Sequence, residues 1–192
     1  MKLVIMLLML GSATVMASEK TYLETPVLYL PDASVIKRVK EECNVEELLT
    51  KRVGSSLAHL NRAEGTVSAD VTRVDGNVLR LRIARVTGVG GGGFSGPKSI
   101  TVVAELLENG KVQRQSRLNR WSVGGFWGGF RGTCSILDRT AIAIGKDLAR
   151  WVKDASYTIK EDADIKDDAS AKENSEPLES TTIKNSEPAK TS

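Results

Sequence analysis

Apolar residues recur every three or four positions from Val45 through Leu48, Leu49, Val53 and Leu57 to Leu60, the spacing of one helix face. Asn44, with Glu47 three residues on, makes a capping-box-like start for that helix. The period then shortens to two. Val67 to Val74 and Val78 to Val86, the latter alternating Leu79, Leu81 and Ile83 with Arg80 and Arg82, read as strands. Asp75-Gly76 between them predicts a tight hairpin turn. Ser99 to Leu107 and Lys111 to Val123 repeat the arrangement around Asn109-Gly110. A second helical stretch, Ser135 to Lys153, sets Leu137, Ala141, Ile144, Leu148 and Trp151 on one stripe, with Asp138, Arg139, Lys146, Asp147 and Arg150 opposite. The apolar segment Pro26 to Pro31 adds one more strand.

That order predicts an α+β fold, an antiparallel meander of four to five strands with two amphipathic helices packed on one face. In a meander the turns alternate between the two ends of the sheet. The loop from Gly88 to Gly96 and the segment from Gly124 to Gly132 should therefore share one end, opposite the two hairpin turns. Phe94, Phe126, Trp127 and Phe130 lie in these segments and form the candidate binding set. Two readings of them stay open. Rings on a glycine backbone suit a docking surface for an envelope protein, peptide or glycan; the same rings can instead cap the open end of the core.

The ends of the chain differ from this body. Lys2 precedes the apolar run Leu3 to Leu10, and small residues surround Val15-Met-Ala17, the pattern of a signal peptide (residues 1–17) cut before Ser18. The run breaks at Gly11 and Ser12, short of the roughly 20 apolar residues of a membrane span. No membrane span is expected once it is removed. From Thr158 to Ser192 only Ile159, Ile165, Leu178 and Ile183 are large and apolar, and five Lys stand against nine Asp or Glu. Such a segment buries too little surface to offset its ordering entropy, so residues 158–192 read as a disordered acidic tail and 18–157 as one α+β domain.

Export changes what the two cysteines mean. An oxidising compartment favours joining Cys43 to Cys134, and no second thiol stands close in sequence for exchange catalysis. Catalytic and cofactor signals are weak. Gly88 to Gly93 fits the spacing of a dinucleotide loop, but a strand rather than a helix follows it. His59 is the only histidine and no nucleophile with motif context accompanies it. No metal-ligand spacing occurs, and Asp162, Asp164, Asp167 and Asp168 lack the glycine and closing glutamate of a calcium loop. Arg114 and Arg120 share one strand face and Arg117 takes the other, which splits any basic patch; no nucleic-acid partner, cofactor or metal is expected.

The motifs Glu42-Cys-Asn44, Gly90 to Val102 and Gly124 to Leu137, with Gly145-Lys-Asp-Leu-Ala-Arg-Trp151, resemble a family of small exported proteobacterial proteins of unassigned function. The resemblance runs from about Cys43 to Trp151, implies a Gram-negative envelope and agrees with the disulfide; it supplies no catalytic residues. The element order is also similar to the α+β domains of outer-membrane assembly and secretion lipoproteins, a fold analogy alone. The expectation is a soluble periplasmic binding or accessory protein, possessing no catalytic activity; the alternative is a divergent periplasmic hydrolase or thiol redox enzyme.

Overall fold

The computed structural model describes residues 19–69, 76–88, 96–123, 132–160 and 162. Its elements are β1 (Thr21–Thr25), β2 (Leu28–Val35), α1 (Lys37–Cys43), α2 (Val45–Asn61), β3 (Thr66–Ser68), β4 (Asn77–Thr87), β5 (Lys98–Glu108), β6 (Lys111–Ser122) and α3 (Thr133–Lys153). Among the described residues no helix is long and apolar enough to cross a membrane.

The class is α+β, but the sheet is mixed rather than an antiparallel meander. Only β4, β5 and β6 form a meander. On the other side of β4 the chain pairs parallel, β1 beside Asn77 to Leu79 and β2 beside Arg82 to Val86, with β3 parallel outside β1. The Asn109-Gly110 turn forms as expected, with φ of 51° and 76° at its two central residues, the left-handed pair that a two-residue hairpin requires. Residues 70–75 lie outside the described residues, but β3 and β4, on either side of Asp75-Gly76, do not pair with each other. β3 is three residues long, and β1 stands between it and β4. Gly76 serves a different purpose: its φ is 136°, and a Cβ there would lie 2.5 Å from the Lys20 carbonyl oxygen.

The reason for the difference is connectivity. Parallel neighbours need a crossover connection, and α1 and α2 supply it between β1 and β3. Period-two patterning announces a strand; it does not name the strand's partner. The strand expected over Pro26 to Pro31 is β2, which runs on to Val35, and β1, before the cis Thr25-Pro26 bond, is a strand that was not expected. Helix α1 adds a third helix to the two expected. The Asn44-Glu47 pair differs in detail, because Asn44 Nδ2 donates to the Glu47 carboxylate at 2.6 Å while the backbone, not the side chain, begins α2.

One face of the sheet carries Leu23, Leu79, Leu81, Ile83, Ile100, Val102, Ala104 and Leu118, all fully buried. Against it α2 covers β1 and β3, α3 covers β5 and β6, and the two helices touch each other. The expected stripe of α3, from Leu137 to Trp151, is buried throughout; on α2, Val45, Leu49, Val53 and Leu57 are fully buried and Leu48 and Leu60 half-buried. Removing a large aliphatic side chain from water contributes about 1.5 to 3 kcal/mol, so this double stripe drives the packing. The chain after α3 also joins the body: Ile159 is 7 % exposed within the same core.

The two helices meet at Gly145. A Cβ built there would lie 2.9 Å from the Arg52 carbonyl oxygen and 2.7 Å from Ser56 Oγ. Beside the crossing, the Arg52 guanidinium grips Asp138 with two bonds of 2.6 Å. Gly145→Ala sets a helix-propensity gain of about 1 kcal/mol against an overpacking cost of about 1 to 3 kcal/mol. Since a backbone oxygen cannot rotate aside, the cost should win. Urea unfolding is expected to show a net loss of about 1 kcal/mol, whereas a gain would mean that the helices separate freely.

Candidate functional site

The strand ends that frame the two glycine segments lie together. Thr87 pairs with Ser99 and Ser99 with Trp121, while Lys98 pairs with Ser122. From this end β4 leaves at Gly88, β5 begins after Gly96, β6 leaves at Val123, and α3 begins after Gly132. Phe94, Phe126, Trp127 and Phe130 lie outside the described residues; their frame is what is seen.

The frame carries buried polar groups on both faces of the sheet. Thr87 Oγ1 and Ser99 Oγ are hydrogen-bonded to each other, and Thr101 Oγ1 donates to Asn119 Oδ1 at 3.2 Å in the next row. Lys98 is fully buried, and its ammonium donates to the Gly96 carbonyl at 2.9 Å. Burial holds that amine below the ordinary lysine range. Gly88 makes room for it: its φ is 152°, and a Cβ there would sit 2.4 Å from Lys98 Cδ. Only glycine lets the strand end pass over the lysine stem.

Lys98 is the residue that motif reading passed over. Its signal was present, because Lys98 stands two residues before Ile100 and four before Val102, on the strand face that turns to the core. Tryptophan 121 is the other. Trp121 is 44 % exposed at the end of β6, beside Val123 at 45 %.

Cys43 and Cys134 form a disulfide, with Cα atoms 4.9 Å apart. Cys43 is the last residue of α1, one before Asn44, and Cys134 is in the first turn of α3. The bridge thus ties the α1–α2 junction to the point where the chain returns from the glycine end. His59 is exposed in the last turn of α2. Among the described residues no group of three or more His, Cys, Asp or Glu could hold a metal ion. The arginines divide as their alternation requires: Arg114 and Arg120 lie on the helix side of β6, and Arg117 lies on the opposite face.

No protein-family model matches the chain. No curated protein matches it either. Among solved structures it is similar to a PelC dodecamer subunit from Paraburkholderia phytofirmans, with 16% identity, a TM-score of 0.46, and coverage of 71% of this chain and 90% of that one. A Xanthomonas campestris protein of family DUF330 is similar at 13% identity and a TM-score of 0.44, covering 74% of this chain and 88% of that one. Likeness at this level transfers no activity.

Cys43→Ser with Cys134→Ser removes closure of a loop spanning 91 residues, which is expected to cost about 4 to 5 kcal/mol, read as a lower urea midpoint. An unchanged midpoint would mean that the unfolded chain is already constrained. Lys98 carries a pH dependence of its own. Its folded amine titrates below the unfolded 10.5, so between those values the unfolded chain binds more protons and stability rises with pH. Lys98→Met is expected to flatten that alkaline rise, and an unaltered slope would contradict the burial cost.

Proposed function

We propose that this chain is an exported accessory protein of the cell envelope that binds a partner rather than transforming a substrate, with Phe94, Phe126, Trp127 and Phe130 supplying the contact surface. The observation that carries the reading is the convergence of Thr87, Lys98 and Ser122 on one end of the sheet. Two long glycine-bearing segments leave and re-enter the fold there, and a covalent bridge fixes one of the re-entry points. Such a rim offers rings on an adaptable backbone at a rigid edge, the arrangement that favours recognition.

The partner classes that fit are an envelope protein, a peptide or a glycan. Each offers apolar or planar surface to an aromatic ring, and none needs a cofactor. The signal-peptide pattern of residues 1–17 supports a periplasmic location for the mature chain.

Trp127→Ala is expected to leave the unfolding midpoint and the disulfide intact while abolishing recovery of the crosslinked partner from the periplasm, as read by mass spectrometry. Equal recovery from variant and parent would overturn the reading.

A further inference from the structure

After α3 the chain runs back along the open edge of β6 towards Trp121. Arg114 donates to the Trp151 and Tyr157 carbonyl oxygens at 2.9 and 3.3 Å, and Arg120 to that of Lys160 at 2.7 Å. Asp162 then behaves as a one-residue strand. Its amide donates to Asn119 O at 3.3 Å, its carboxylate accepts from the Trp121 amide at 3.3 Å, and its carbonyl accepts from Asn119 Nδ2 at 3.4 Å. The remaining chain, residues 163–192, therefore starts at a fixed point beside Trp121.

That point borders the sheet face opposite α2 and α3, on which no helix lies among the described residues and where Ser99, Thr101 and Asn119 are buried while Arg117 and Trp121 are exposed. On it Arg80 and Arg82 are paired with Glu24, and Arg80 also with Glu105. Arg117 and Arg85 make no ion pair among the described residues. Register places them close together, since Arg117 pairs with Val103, and Arg85 with Thr101 in the next row. Two guanidinium groups with no ion pair among the described residues and the exposed Trp121 ring thus form one patch. The sequence leaving Asp162 is Ala163-Asp-Ile-Lys-Asp-Asp168, with three carboxylates against one amine. Six extended residues reach about 20 Å, and crossing from β6 to β4 takes about 10 Å.

We propose that the acidic segment Asp164 to Asp168 docks on this sheet face at its exposed residues Arg117 and Trp121, its carboxylates against Arg117 and the half-buried Arg85, as an occupant built into the same chain. Anchoring at Asp162 makes the contact intramolecular, so weak exposed ion pairs suffice at the high effective concentration that the short connection sets. Docking covers Trp121 and neutralises the patch against other acidic partners. The tail is then a competitor that an external ligand of this face must displace. This inference is independent of the role given to Trp127.

Trypsin cleavage of the full chain after Lys166, timed against cleavage after Lys184, reads the docking. In low salt the parent is expected to cut about fivefold more slowly at Lys166 than Arg85→Gln with Arg117→Gln, and 0.5 M salt is expected to erase the difference by screening the pairs. Asp167→Asn with Asp168→Asn, which adds no trypsin site, should leave the parent and the arginine variant cutting at equal rates when placed in both. Equal rates in parent and arginine variant, with unchanged unfolding midpoints, would overturn the proposal. Protection that grows with protein concentration would overturn it too, by assigning the face to the tail of a second copy.

Discussion

The close meeting of α2 and α3 is the constraint on which the rest of the fold depends. Neither helix alone spans the buried face, since α2 packs chiefly on β1 and β3 and α3 chiefly on β5 and β6. The gap between them is sealed because Gly145 admits the backbone of Arg52 where any side chain would hold it away. Arg52 and Asp138 fix the rotation of one helix on the other. The disulfide then fixes the position of α3 along its length relative to the start of α2. Apolar burial supplies the driving force, and these three contacts select the one geometry in which burial is complete.

Strand β6 shows how polar groups were fitted to a core-facing surface. Its helix side reads Arg114, Ser116, Leu118 and Arg120, only one of them apolar. Both arginines lie against the C-terminal half of α3 or the chain beyond it. Arg114 stacks on Trp151 at 4.5 Å and donates to its carbonyl, one of the end carbonyls that a helix leaves without a partner. Arg120, at 12 % exposure, meets Asp147 at 2.6 Å. Cations at the negative end of a helix, each with a carboxylate or carbonyl partner, are compatible with burial in a way that isolated charges are not.

What was legible in the sequence was whatever depends on periodicity. The stripe from Leu137 to Trp151, the alternation of Leu79, Leu81 and Ile83 and the Asn109-Gly110 turn all reappear in the structure, because each is decided within a few residues. Strand partnership is decided elsewhere. Nothing near Thr66 reveals that its neighbour is Leu23, or that Leu23 also lies beside Leu79. The candidate aromatic residues lie outside the described residues, so only their frame can be compared. Register brings Thr87, Ser99 and Trp121 to one end, as turn alternation around β5 requires. The buried amine of Lys98 was missed because lysine ordinarily marks a solvated position, and its place on the core face shows only in the spacing to Ile100.

The parallel seat of β1 bears on the order in which the molecule assembles. β1 lies between two strands that the chain has not yet made when β1 emerges during synthesis: β3 begins at Thr66 and β4 at Asn77. The meander β4–β5–β6 needs only neighbouring segments and closes at low entropic cost, whereas seating β1 means closing a loop of more than fifty residues. The first strand out is therefore among the last to be housed. Until then its apolar Leu23 and its backbone donors and acceptors lack the partners that β3 and β4 supply in the finished fold.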